Sequence, residues 1–202
     1  MRPRDNPFRS ELTDALPYRP QGTSWEAILA RLEALDYRAA IVGPHGSGKT
    51  TLLEELGRRL GRRGMRTLGL RADARRPNAI IRDFAVDKGQ TVVLLDGADL
   101  LGGLAWALVR MRARRARGLV ITTHRPGRLP TLVECSTSPG LLCELLRQLV
   151  PGLAARLAPL AESLFEASGG NLRSVFHTLY HMCAEDALAV SEPQVEASRW
   201  RR

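Results

Sequence analysis

Eight consecutive residues, Gly43-Pro44-His45-Gly46-Ser47-Gly48-Lys49-Thr50, carry the densest chemistry in the chain. Three glycines allow positive φ and a close backbone approach to a ligand. Successive N–H groups turned to one side form an anion-binding nest, and a helix starting near Gly48 adds roughly half a positive charge at its N-terminus. The spacing satisfies G-x-x-x-x-G-K-[ST] without mismatch, the pattern of a loop that cradles nucleotide phosphates. In that pattern Lys49 reaches the β- and γ-phosphates and Thr50 offers its hydroxyl to Mg²⁺, a hard cation that takes oxygen ligands. Gly43, Pro44, His45, Gly46, Ser47, Gly48, Lys49, Thr50 and Thr51 are therefore the expected nucleotide-binding residues. The flanks agree: Ala39-Ala40-Ile41-Val42 is a short apolar run, and Thr51-Leu52-Leu53-Glu54-Glu55-Leu56 has a helical pattern.

Composition makes Lys49 stand out further. The chain has 30 Lys plus Arg, and only Lys49 and Lys88 are lysine. In a chain so biased to arginine, a lysine at this position answers a demand for a slender, flexible point charge that a wide guanidinium fork does not meet.

A second element must deliver an acid to the same place. Thr91-Val92-Val93-Leu94-Leu95-Asp96 is an apolar, β-branched run ending in a carboxylate. It reads as a buried parallel strand with Asp96 at its C-terminal edge, where α/β sheets place their ligands. Asp96 and Thr50 are the expected Mg²⁺ residues, in the manner of Walker A and Walker B motifs.

The remaining pattern is organised around these two strands. Residues 1–22, with Pro3, Pro7, Pro17 and Pro20, read as an extended N-terminal arm pinned by Phe8, Leu12, Leu16 and Tyr18, and placed to cover an adenine base or to serve as a strap. Thr23-Ser24-Trp25-Glu26 reads as a capping box that opens a helix over 24–35. The spacing predicts a strand at 38–42, a helix over 48–62 buried through Leu52, Leu53, Leu56 and Leu60, a modest strand at 67–70 and a short helix over 77–84. A basic helix over 100–117 follows, its core side formed by Leu104, Leu108 and Met111. Strands are expected at 118–123 and 131–135. From residue 139 the pattern is helical, with an interruption at Pro159, a helix capped by Asn171, and a last turn opened by Ser191-Glu192-Pro193-Gln194. The expected division is an arm over 1–22, an α/β domain over 23–138 and a helical lid over 139–202.

Bulk properties bound the function. At 202 residues, 44% hydrophobic and 25% charged, the chain can bury a sizeable core. Cys135, Cys143 and Cys183 are widely spaced, which argues against a disulfide framework or zinc site and suits a reducing cytoplasm. No apolar run approaches membrane-spanning length. The net charge of +9 invites nucleic-acid contact, and its local support is the run Arg110, Arg112, Arg114, Arg115 and Arg117, which also reads as a solvated face.

With these motifs in place, the chain resembles a AAA+ P-loop ATPase of the small bacterial type, similar to secretion-type and replication-initiator-like members. The resemblance rests on Gly43 to Thr50, on Val92-Val93-Leu94-Leu95-Asp96-Gly97-Ala98-Asp99, on Asn6-Pro7-Phe8, on Gly170-Asn171-Leu172-Arg173 and on the closing segment 188–198. It implies a three-layer sandwich with a central, mostly parallel sheet of about five strands and a small C-terminal helical lid. It implies ATP and Mg²⁺ as ligands, Thr122 or Thr123 as a γ-phosphate sensor, and Arg173 as the lid arginine over the nucleotide, with a protein partner or homo-oligomer in play. One departure is plain. The glutamate that the family carries directly after the Walker B aspartate is Gly97 here, which can neither accept a proton nor orient water. Asp99 or Asp73 is the expected substitute, and Gly97→Glu is expected to raise turnover. Arg125 and Arg128 are arginine-finger candidates by location. The expected catalytic set is thus Lys49, Asp96, Asp99, Thr123 and Arg173. The expected function is an ATP-dependent switch with slow or partner-stimulated hydrolysis. Two alternatives stand beside it: a small-molecule or nucleotide kinase, and a nucleic-acid-associated ATP-binding module without hydrolysis.

Overall fold

The computed structural model describes residues 2–73, 75, 84 and 89–185. The chain divides into two compact units, Pro17–Ser136, and Met1–Leu16 together with Thr137–Arg202.

The first unit is built on five strands: β1 (Arg38–Val42), β2 (Arg66–Arg71), β3 (Thr91–Asp96), β4 (Gly118–Thr123) and β5 (Thr131–Glu134). They lie in the order β2-β3-β4-β1-β5, and every pairing is parallel. Strands β1, β3 and β4 are buried almost end to end, because a parallel sheet carries its crossover helices on both faces. Side chains alternate between those faces. Ala39, Ile41, Val92, Leu94 and Val120 pack with α2 (Trp25–Ala34) and α3 (Lys49–Arg62). Ala40, Val42, Val93, Leu95, Leu119 and Ile121 pack on the other side with Val109 and Ala113 of α4 (Gly103–Ala113). The result is a three-layer α/β sandwich, the fold class read from the sequence.

Local signals set the helix limits. Ser24 caps α2 by accepting from the Ala27 N–H at 3.2 Å. Leu52, Leu53, Leu56 and Leu60 form the buried face of α3, as their spacing requires.

Helix α4 departs from the expected 100–117. A 3₁₀ turn, Ala98–Leu100, precedes it, Gly102 caps it, and it ends at Ala113. The expected core side is also wrong: Leu104 is 78% and Met111 56% exposed, while Val109 and Ala113 are buried. Small residues face the sheet because they let the helix lie close to β3 and β4; the larger side chains turn outward. The basic run is divided as a consequence. Only Arg110 and Arg112 lie in the helix, and Arg117 is an ion-pair partner of Asp36 stacked over the Tyr37 ring.

The second unit contains α1 (Ser10–Asp14), α5 (Pro139–Leu149), α6 (Ala154–Ala167) and α7 (Leu172–Ala184). Side-chain caps start α5 and α7: Ser138 accepts from Leu141 N–H, and Asn171 from Ser174 N–H. Residues 1–22 are not an extended arm throughout. Pro3–Asp5 is a 3₁₀ turn, α1 follows, and residues up to Leu16 cluster with the helical unit. Asn6-Pro7-Phe8 supplies the clip. Buried Asn6 donates through Nδ2 to Tyr180 O at 2.8 Å and accepts the Phe8 N–H, and the Phe8 ring stacks on Phe176. Pro159 does not interrupt α6, which runs through it. The proline removes one N–H, while Leu157 and Ala161, both buried, keep the helix seated on the core. The expected helix at 77–84, apart from Phe84, and the expected turn at 191–194 lie outside the described residues.

Phe8 is 3% exposed and bridges the N-terminal segment to α7. Phe8→Ala is expected to destabilise the helical unit by about 3–5 kcal/mol, measured by chemical denaturation. A loss below about 1 kcal/mol would contradict the clip.

Candidate functional site

The order β3-β4-β1 fixes what meets at the C-terminal edge of the sheet. The loop after β1 is residues 43–48, the turn after β3 begins at Gly97, and the segment after β4 begins at His124. With β4 between the other two, its last residues lie beside both the phosphate loop and Asp96.

The loop is a cradle that glycine makes possible. A Cβ on Gly43 would lie 2.6 Å from the Cys135 carbonyl oxygen, and Gly48 sits at φ +81° under the Tyr18 ring. Gly43 N–H donates to Thr123 O at 3.2 Å, tying the loop to β4. Ser47 Oγ donates to Pro44 O at 2.9 Å. Lys49 is 9% exposed, and its Nζ donates to Gly43 O at 2.8 Å and Pro44 O at 2.6 Å. Burial pulls its pKa below the ordinary lysine value, outweighing the opposing attraction of Cys135, Asp99 and Asp96. The ammonium is therefore held against the loop's own carbonyls, at the place where a phosphate would compete for its protons.

Asp96 is the hub of the other half. Thr50 Oγ1 lies 3.2 and 3.1 Å from its two carboxylate oxygens. Thr122 Oγ1 donates to Oδ1 at 2.7 Å and accepts the Gly97 N–H at 2.7 Å, using the donor and acceptor capacity of one hydroxyl. Arg71, at the end of β2, reaches Oδ2 at 3.2 Å through Nη2 and 3.3 Å through Nε. A threonine hydroxyl facing a carboxylate across about 3 Å is a hard-oxygen pair that suits Mg²⁺. The guanidinium already placed against Oδ2 shows that the pocket accepts positive charge.

The expected catalytic residues are placed unequally. Lys49, Thr50 and Asp96 come together. Thr123 does not join them: its Oγ1 donates to Arg125 O at 2.9 Å. Thr122 takes the place at the carboxylate, because adjacent residues of a strand point to opposite faces. Asp99 Oδ2 accepts from the His124 N–H at 2.6 Å and lies 2.8 Å from His124 Nδ1, so it is an orienter of His124. Asp73 closes its own turn by accepting the Arg75 N–H. Arg128 is folded inward, donating to Leu101 O at 2.8 Å and lying over the Trp106 ring. Arg173 is exposed in the first turn of α7, in the helical unit. Two contacts were not foreseen from the sequence. Arg71 is directly opposite Asp96 in the β2–β3 register, which pairing the two strands from their ends would have indicated. His45 and His124 face one another with Nδ1 and Nε2 3.2 Å apart, a contact that no spacing along the chain signals.

Gly97 has a structural reason to be glycine. Its φ of +76° is left-handed, and a Cβ there would meet Leu100 and Ala72 at 3.4 and 3.6 Å. A glutamate at this position would cost about 1–3 kcal/mol in backbone strain, which counts against the expectation that Gly97→Glu simply restores a base.

No protein-family profile and no curated protein matches the chain. Solved structures do. Two point variants of RuvB from Thermotoga maritima align with TM-scores of 0.42, at 14% and 15% identity, over 79% and 78% of this chain and 69% and 67% of theirs. Similarity at that level assigns neither substrate nor partner.

Thr122→Val removes the hydroxyl and leaves the Gly97 N–H unpaired; a loss of about 1–3 kcal/mol is expected in urea denaturation. Thr123→Val, which frees only a loop carbonyl, is expected to cost less than about 1 kcal/mol. Equal losses would contradict the assignment of Thr122 to the carboxylate.

Proposed function

We propose that the chain is an ATP-binding P-loop ATPase of the AAA+ type that acts as a nucleotide-dependent switch, hydrolysing ATP to ADP and phosphate slowly or under stimulation by a partner. The observation that carries this reading is the contact of Thr50 with both oxygens of Asp96 beside a glycine cradle holding Lys49. A cradle supplies anion binding, and a hydroxyl–carboxylate pair supplies a divalent-cation site; together they describe a nucleoside triphosphate with its metal.

Each residue then has a task. The backbone N–H groups of residues 43–48 and the Lys49 ammonium hold phosphate oxygens. Thr50 and Asp96 hold Mg²⁺, which when bound neutralises phosphate charge. Thr122 sets the orientation of the carboxylate and, through Gly97, the turn that follows it. Arg71 compensates Asp96 before a cation arrives and must yield part of Oδ2 when it does. The exposed apolar residues Leu100, Leu104 and Met111 lie directly after the acid strand, on the same segment as exposed Arg110 and Arg114. They support a protein partner or a second copy of the chain as the stimulating element. Arg173, carried over from the family resemblance, is the residue of the helical unit that we propose responds to the nucleotide.

Lys49→Ala is expected to abolish Mg·ATP binding in isothermal calorimetry, and unchanged affinity would overturn the site. Arg173→Ala is expected to leave folding intact and to reduce any difference in protease sensitivity between ATP- and ADP-bound protein. An identical digestion pattern change in the variant would remove Arg173 from the switch.

A further inference from the structure

We propose that His124 is the base that takes the proton from the attacking water, with Asp99 as its positioning residue and His45 as the group that covers its free nitrogen before substrate binds. This inference rests on the ATPase reading above.

Position 97 offers no base. A left-handed glycine cannot present a carboxylate, so any base must come from another strand end. His124 is the first residue after β4, the strand interposed between the phosphate loop and the acid strand. Its ring lies against the ring of His45, third residue of the cradle, with centroids 3.8 Å apart. The imidazole therefore stands at the mouth of the phosphate loop.

Its orientation is held from behind. Asp99 Oδ2 binds both the His124 backbone N–H and Nδ1, at 2.6 and 2.8 Å. A carboxylate at Nδ1 places the proton there and leaves Nε2 with its lone pair. The His45 ring lies over this side of the imidazole, its Nδ1 3.2 Å from Nε2 and the two rings tilted by 38°. A charge on His124 foremost, then burial and Lys49, lower the His45 pKa, against Asp99, so the two rings do not carry charge together. The groups facing the pair are thus Asp99 from the turn after β3 and Lys49 from the start of α3, with Arg125 the chain neighbour of His124. A metal is not the better reading of this cluster, since among the described residues no three His, Cys, Asp or Glu side chains are arranged to hold one.

The step is a simple exchange. His45 swings off with its glycine-flanked loop and a water takes its place at Nε2. The water oxygen forms a bond to the γ-phosphorus as its proton passes to Nε2. The bond from the γ-phosphorus to the bridging oxygen breaks, and its electron pair leaves with ADP. The imidazolium, paired with Asp99, returns the proton to solvent. Turnover should rise with pH as the imidazole loses its proton, because only the neutral ring accepts another.

The test measures three quantities on the full chain with Mg·ATP, in wild type, His124→Ala, His124→Gln and Asp99→Asn. Calorimetry gives affinity. Steady-state turnover between about pH 5.5 and 9 gives the profile. Long-range ¹H–¹⁵N spectra give the tautomer and titration of each histidine. Both His124 variants are expected to bind ATP within about threefold of wild type, to turn over at least ~10²-fold more slowly, and to lose the acid limb. Wild-type His124 should carry its proton on Nδ1, and Asp99→Asn should weaken that tautomer preference and slow turnover without loss of ATP affinity. Variants that bind ATP and turn over within about threefold of wild type, or an Nε2–H tautomer in wild type, would each overturn the proposal. Failure of wild type to bind ATP would overturn the ATPase reading itself, and this inference with it.

Discussion

The carboxylate of Asp96 is the contact on which the first unit's functional edge depends. Thr50 from the start of α3, Thr122 from the end of β4 and Arg71 from the end of β2 all converge on its two oxygens. Those partners come from separate parts of the chain, and the parallel sheet is what brings them to one edge. The strand order makes the convergence specific. Were β3 paired directly with β1, no residue could stand between the acid and the cradle. With β4 interposed, Thr122 both orients Asp96 and receives the N–H of Gly97, so the position of the acid and the path of the following turn are coupled through one hydroxyl.

The turn after the acid strand is shaped by its first residue. Gly97 adopts φ +76°, a conformation that costs a side-chain-bearing residue. The turn then carries the chain through Ala98–Leu100 so that Asp99 meets His124. The backbone geometry that excludes a carboxylate at 97 is the same geometry that positions one at 99. At the end of the neighbouring strand the first imidazole, held by Asp99, lies against a second one from the phosphate loop.

Much of this was legible in the sequence wherever local chemistry decided the outcome. The cradle, α3 and strands β1, β3 and β4 were readable because continuous apolar runs, glycine spacing and capping residues act over a few residues. Asp96 was readable because it ends such a run. Reading failed where the answer depends on which face a residue meets. Thr122 and Thr123 are chemically identical, and only the strand's register turns the first toward Asp96. Leu104 and Met111 have the right spacing for a core stripe, yet Val109 and Ala113 fill it because the sheet needs a close helix there. The N-terminal prolines suggested an extended arm, whereas Asn6 and Phe8 find long-range partners in α7. Arg71 and the histidine pair were silent for the same reason: their meaning exists only across strands.

The central claim is that one site joins an anion cradle to a divalent-cation pair, so nucleotide and metal must bind as a unit. The direct measurement is calorimetric titration of ATP into the wild-type chain and into Asp96→Asn, each with Mg²⁺ and with excess chelator. A single saturable site is expected in wild type, its affinity falling by at least about tenfold without Mg²⁺, with an affinity in Asp96→Asn that responds little to the metal. ATP binding of equal strength with and without Mg²⁺, or an undiminished metal dependence in Asp96→Asn, would contradict it.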